Sequence, residues 1–259
     1  PVHADEFRKL NFALFEAAKN ADITKVKGLI EQGASIKARN RFGNSALIYA
    51  VKSGNIELVD YLLKQGAAIN LVNTRGRNAL MEASKEGSVE MVSYLLENGI
   101  EVKNVTALAE AVYSERNDVV ALLLDNDAKV DVVDNTGKTA LIYASANGNL
   151  EIIKLLLKKT TDVNAKYGHD LTALMWAAGY GQTGAVNLLL AAQANVNQQD
   201  DRGRTALMMA ATAGQIEVIN ELIKHDAQTQ ITDIQGQTVF DLIATDENEN
   251  ILLALSAAN

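Results

Sequence analysis

The chain has 259 residues, a formal net charge of −8, one proline and no cysteine. The missing thiols exclude disulfides, thiolate catalysis and cysteine-type zinc sites. The acidic balance argues against general nucleic-acid binding, which needs a basic face to neutralise phosphates, and no apolar run approaches the roughly 18 residues of a membrane span.

The charge is uneven. Residues 1–130 carry 16 Lys/Arg and 17 Asp/Glu, whereas residues 131–259 carry 8 and 15. A partner with its own charge asymmetry would be steered by this difference; the simpler reading is that the acid serves solubility. At the N-terminus, Val2-His3-Ala4 fits the small-x-small pattern before a signal-peptidase cut, with Asp5 as the mature start. That reading predicts a periplasmic or secreted protein. Removal of a Met before Pro1, or a cloning scar, would produce the same start and leave a cytoplasmic protein.

A marker phrase, small-Ala-Leu-apolar-x-Ala, then recurs along the chain. Its leucine position falls at 14, 47, 80, 108, 141, 174, 207 and 240, so every step is 33 residues except one of 28. A fixed period of this length predicts a repeat array, in which each copy buries its apolar face against its neighbours. In the second copy, Asn40 to Asn44 forms a turn, with Gly43 available for positive φ. Ser45 is placed to cap a first helix whose buried stripe is Leu47, Ala50 and Val51. Gly54 ends that helix and Asn55 caps the next, whose apolar face is predicted as Ile56, Val59, Leu62 and Leu63, before Gly66 ends it.

This pattern resembles the ankyrin repeat, in a bacterial-type variant. The resemblance rests on the turn glycine, Thr-Ala-Leu-x-x-Ala-Ala, Gly-Asn-Leu-Glu-Ile-Ile at 148–153 and Ala-Asn-Val-Asn at 194–197, and it covers roughly residues 10–255. It implies an all-α ankyrin-repeat solenoid of about eight helix-turn-helix units with projecting β-turn fingers. One domain over 1–259 is expected: a tail at 1–9, an N-terminal cap repeat at 10–38, six internal repeats at 39–231 with the fourth shortened, and a C-terminal cap repeat at 232–259. Lys9, Lys19, Lys25 and Lys27 give the first cap a polar exterior, and the acidic run Asp246 to Asn250 precedes the last helix. The chain departs from the family's Thr-Pro-Leu-His. Ala replaces the Pro, and Ile48, Met81, Ile142, Met175 and Met208 replace the His, so apolar packing is expected to substitute for the family's His-to-turn hydrogen bonds.

The repeat breaks in informative places. Glu101 to Thr106 replaces a full turn in the fourth copy, which also has Glu115 and Asp127 where glycines are expected. We read this as a notch in the row of fingers. The sixth finger, Lys166 to Leu171, has Asp170 at its glycine position, and the glycine that ends other repeats becomes Thr160, Gln193 and Asp226. A β-branched Thr160 in a left-handed conformation would be strained by about 1 kcal/mol or more, which predicts a differently built turn.

In ankyrin proteins the finger tips and the exposed face of the first helix line the groove that holds partners. The resemblance places there Arg41, Phe42, Tyr49 and Lys52 in the second repeat, and Arg75, Arg77, Glu82 and Lys85 in the third. It adds Glu110 and Tyr113, then Lys138 and Tyr143, then Tyr167, His169, Trp176 and Tyr180, and finally Arg202, Arg204 and Met209. Seven of the 13 aromatic residues fall on these columns, and Trp, Tyr and Arg dominate interface hot spots. The alternative for any one of them is that it merely covers the neighbouring repeat.

Other chemistries fare poorly. Gly179-Tyr180-Gly181-Gln182-Thr183-Gly184 matches G-x-G-x-x-G but lies between predicted helices, where the dinucleotide mechanism needs a strand. Gly137-Lys138-Thr139 lacks the earlier P-loop glycine, and Ile251 stands where a calcium loop needs one. His3, His169 and His225 have no metal-like spacing. Glu82 and Glu110 share a column and would suit paired-carboxylate hydrolysis only in a deep pocket. Asn104-Val105-Thr106 is a glycosylation sequon, without meaning in a bacterial protein. The expected function is non-enzymatic binding of a protein partner by a chain that is monomeric when free, with no cofactor and no metal. The alternative is an inhibitor or immunity protein for a secreted enzyme or toxin.

Overall fold

The structure is a computed structural model that describes residues 2–102, 106–159, 162–243 and 249–256, with side chains from Asp5 onward. The calls on Thr160, Asn104 and the run 246–248 lie outside the described residues. The chain divides into two compact bodies, residues 1–129 and 130–259. Among the described residues the regular structure is helical, and the one β-pairing is an isolated bridge between Tyr167 and Leu171.

The N-terminal body holds α1 (Val2–Lys19), α2 (Ile23–Glu31), α3 (Ala46–Lys52), α4 (Ile56–Lys64), α5 (Ala79–Glu86), α6 (Val89–Glu97), α7 (Ala107–Tyr113) and α8 (Asn117–Asp125). Its first layer stacks α1 on α3, α3 on α5 and α5 on α7, and α6 packs on α8 in the second. The C-terminal body repeats this plan with α9 (Ala140–Asn147), α11 (Ala173–Gly179), α13 (Ala206–Thr212) and α15 (Val239–Leu242) in one layer. Its second layer is α10 (Leu150–Leu157), α12 (Thr183–Ala191), α14 (Ile216–Lys224) and α16 (Glu249–Ser256).

The marker phrase explains the first layer. Ala50, Ala83, Ala111, Ala144, Ala177 and Ala210 are buried at one position of successive first-layer helices, where only a small side chain lets short helices approach. The marker leucines beside them are buried too. Ser45, Asn78, Thr139, Thr172, Thr205 and Thr238 each accept a hydrogen bond from the backbone N–H three residues on, as the capping reading requires. Thr106 does not. It sits at the shortened repeat, its backbone departs from the extended cap conformation, and its hydroxyl turns instead to Met81 Sδ at 3.8 Å.

Three expectations need correction. Residues 2–9 are not a tail: α1 runs from Val2, helped by the absence of Gly and Pro and by Asp5 in its first turn. The buried stripe of α4 is Leu58, Val59 and Leu62, with Ile56 and Leu63 only half-buried at its edges. The finger turns rest on more than apolar packing. Asn40, Asn73, Asp134, Asp200 and Asp233 each accept from the backbone N–H groups two and four residues on. These are Asx turns, closed in each case by a left-handed glycine. At Gly43 and Gly203 the next finger also comes so close that a Cβ would stand about 3 Å from backbone atoms of Asn73–Thr74 and Asp233–Ile234.

The sixth finger has Tyr167 at the Asx position. The Tyr167 carbonyl takes over, accepting the Leu171 N–H at 3.0 Å, and Gly168, His169 and Asp170 all adopt positive φ. Glu115, Asp127, Gln193 and Asp226 likewise hold left-handed conformations at φ of 56°, 60°, 67° and 63°, although none is glycine. The layered stack demands that turn, and the side chain is tolerated because it points to open surface.

Two stability predictions follow from this backbone. Gln193→Gly removes the steric cost of a left-handed residue and raises stability by about 1 kcal/mol, read as a higher urea midpoint; an unchanged or lower midpoint contradicts the strain. Ser84 and Ser145 occupy equivalent positions, are fully buried and have no hydrogen-bond partner for their hydroxyls. Ser145→Ala, which supplies the residue found at 178 and 211, therefore stabilises by about 1 kcal/mol, and a loss in denaturant titration would show that the hydroxyl is satisfied.

Candidate binding surface

One position of the first-layer helices recurs in each body: Tyr49, Glu82 and Glu110 in the N-terminal body, and Tyr143, Trp176 and Met209 in the C-terminal body. What each does depends on its own finger. Asn40 Nδ2 donates to the Tyr49 hydroxyl at 2.8 Å. Tyr143 donates from its hydroxyl to Asp134 Oδ2 at 2.5 Å. Arg77, at the end of the third finger, donates from Nε to Glu82 Oε1 at 2.8 Å and from Nη1 to Glu110. Tyr49, Glu82 and Tyr143 thus tie helix to finger, so the two tyrosines serve the fold first. Asp134 is held below the ordinary aspartate range: burial alone would raise it, but the hydroxyls of Tyr143 and Thr136 and the N–H groups of Lys138 and Thr136 outweigh that.

Glu82 is only 5 % exposed. Burial pushes its carboxyl up, but the hydrogen bond and charge of Arg77, then the charges of Lys52 and Lys85, bring it below the ordinary glutamate value. Lys52 Nζ lies 3.6 Å from Glu82. The Arg77 guanidinium is held more firmly protonated than usual: burial opposes this, and the hydrogen bonds to Glu110 and Glu82 prevail. A carboxyl depressed in this way is the opposite of a general acid, so the Glu82/Glu110 column reads as an ion-pair anchor.

Around this anchor the N-terminal body opens a cleft of about 350 Å³, lined by Phe42, Asn44, Lys52, Asn73, Arg75, Arg77, Glu82 and Lys85. Arg41 places its guanidinium 4.6 Å from the centre of the Phe42 ring at the rim. Of the residues placed on the groove by sequence, Phe42, Lys52, Arg75, Arg77, Glu82 and Lys85 are therefore brought together. Tyr113, 62 % exposed, is not among the residues that line this cleft.

The C-terminal body differs because its sixth and seventh repeats lack the helix-to-finger bond. Tyr167 replaces the Asx residue, and Arg204 turns back onto Asp200 with two hydrogen bonds of 3.1 and 3.0 Å. Trp176 and Met209, left without those partners, edge a hollow of about 240 Å³ together with Leu171, Met175, Tyr180 and Thr212. The Trp176 and Tyr180 rings stack at 5.9 Å and 19°, and Tyr180 is 60 % exposed. Lys138 Nζ lies 5.2 Å from the Trp176 ring and 5.7 Å from that of Tyr143. Tyr167 is half-buried away from this hollow, its phenol pushed up by burial and then by the charges of Asp131 and Asp162. His169 Nδ1 lies 2.9 Å from Asp201 on the next finger, which makes it a finger-to-finger contact.

Sequence reasoning missed Leu171, Met175 and Thr212 in this hollow, and missed the Asx residues. Asn or Asp three residues before each finger glycine was the available signal for the latter. Among the described residues no cluster of His, Asp and Glu is arranged to hold a metal, and no helix is long and apolar enough to cross a membrane. Gly179 to Gly184 runs from the last residue of α11 into the first turn of α12, not after a strand.

A family model described as ankyrin repeats (3 copies) matches residues 14–106, 100–167 and 174–259. No curated protein matches the chain.

Because Glu82 is depressed in the folded state, its stabilising contribution is complete above the ordinary glutamate value of 4.5 and is lost as pH falls through the lower folded value. Glu82→Gln leaves Arg77 under-compensated and costs about 3 kcal/mol at neutral pH. Urea midpoints of variant and parent should converge at acid pH; a gap of constant size down to about pH 3 would show that the charge is not responsible.

Proposed function

The chain belongs to the ankyrin repeat family, and from that premise we propose that it is a non-enzymatic module that binds a partner protein, with its principal anchor at Trp176 and Tyr180. Ankyrin repeats generally mediate protein–protein interaction. The observation that carries the site assignment is the stacked Trp176–Tyr180 pair beside an open, mostly apolar hollow. Elsewhere on the column the aromatic groups are spent on finger hydrogen bonds; here they are not. A rigid pair of large rings with an exposed polar edge gives contact area at low cost in side-chain entropy, which is why such residues concentrate binding energy. Met209 adds an adaptable wall, and Lys138 and Arg204 supply a polar margin.

The test is retention of a protein partner from an extract of the source organism, with identification by mass spectrometry. Trp176→Ala with Tyr180→Ala should reduce retention about tenfold or more while circular dichroism shows the helices intact. Equal retention by the double variant removes the site assignment, and no retained partner on the parent protein removes the binding reading itself.

A further inference from the structure

The cleft of the N-terminal body is the second feature of the surface, and its chemistry differs from that of the Trp176 hollow. Four cationic side chains line it, Lys52, Arg75, Arg77 and Lys85, against one carboxylate, Glu82. That carboxylate is already engaged by Arg77 and Lys52. The guanidinium of Arg77 nonetheless keeps one donor, Nη2, that is buried and has no acceptor. Asn73 donates from Nδ2 to Asn44 Oδ1 at 2.8 Å, which leaves the Asn44 amide as a further donor on the wall. The cleft is therefore rich in donors and positive charge, in a chain whose net charge is −8.

The rim narrows the choice of ligand. Phe42 is 47 % exposed beside the mouth with Arg41 stacked over its ring. This offers an apolar and cationic shelf next to the donors. A polyphosphate would gain from the cations but leave the exposed apolar ring of Phe42 uncovered. A short segment with a few carboxylates and a neighbouring apolar side chain satisfies both parts of the cleft.

We propose that this cleft takes an acidic peptide segment of the partner protein, its carboxylates seated on Arg75 and Lys85 and an adjacent apolar residue against Phe42. The proposal rests on the protein-binding reading above and adds the chemistry of what is bound. Arg75 and Lys85 are exposed and line the cleft, so both are open to a carboxylate from outside, whereas Arg77 is held against Glu82.

The experiment uses the full chain and a fluorescein-labelled peptide, Glu-Asp-Phe-Glu-Asp-Phe-Glu, followed by fluorescence anisotropy. Saturable binding is expected, weakening several-fold as salt rises from about 50 to 200 mM. The amide counterpart, with Gln and Asn in place of the acids, should not bind. Arg75→Glu and Lys85→Glu should each weaken binding about tenfold, whereas Lys154→Glu, the same charge change on exposed α10, should not. Equal affinity for the amide peptide, indifference to Arg75→Glu and Lys85→Glu, or equal loss with Lys154→Glu overturns the proposal. Saturable binding of inorganic pyrophosphate or a short oligonucleotide, lost in the same two variants, would overturn it in favour of a phosphate ligand. Failure here with the extract partner still retained through Trp176 and Tyr180 would leave the protein-binding reading standing.

Discussion

Most helices in this chain are seven to nine residues long, which is too short to hold together in water without help. Each has to borrow burial from the helices beside it. Every other feature of the fold answers that need. The alanine column lets the helices come close, the Ser, Thr and Asn caps satisfy the ends that short helices expose in such proportion, and the fingers lock successive repeats. The locking is visible in the backbone: the Thr74 N–H donates to the Phe42 carbonyl at 3.0 Å, and the Ile234 N–H repeats this with Arg202. Asn164 and Asn197 do similar service at the other end of the repeat, accepting the backbone N–H groups of Asn195 and Gln228.

The period alone made the layers, the caps and the marker leucines readable, because each depends only on spacing and local chemistry. What stayed illegible involves choices between partners. The α4 stripe falls on Leu58, Val59 and Leu62, and the apolar Ile56 and Leu63 flank it half-buried, a difference that spacing does not disclose. Residues 2–9 read as a tail because that stretch carries no marker phrase, yet nothing in it opposes a helix, and α1 runs through it from Val2. The Asx turns are harder to read because an Asn or Asp ahead of a glycine is equally at home as a solvated surface residue, and only the fold shows its side chain accepting two backbone N–H groups.

The binding column shows the same limit more sharply. In sequence, Tyr49, Tyr143, Trp176 and Met209 are equivalent members of one series. In the structure they divide according to whether the finger above offers a hydrogen-bond partner. Asn40 and Asp134 do, so Tyr49 and Tyr143 become struts. Tyr167 does not, and Met209 has no hydrogen to donate to Asp200, which Arg204 engages instead, so Trp176 and Met209 stand beside open space. The acidic members Glu82 and Glu110 follow the rule with an arginine as the intermediary. Whether such a tyrosine is tied down is thus decided some nine residues earlier in the chain, at the Asx position of the finger.

The shortened fourth repeat separates two things that the regular repeats confound. It is five residues shorter than the others and lacks the side-chain cap at Thr106, yet α7 still stacks on α5 and buries Leu108 and Ala111 as its counterparts do. The forfeited cap is worth only about 1 kcal/mol. Helices and fingers are therefore separately replaceable. An edge loop can thus be trimmed while the interior beneath it stays as it was, because the burial that holds a repeat is supplied by its helices and not by its finger.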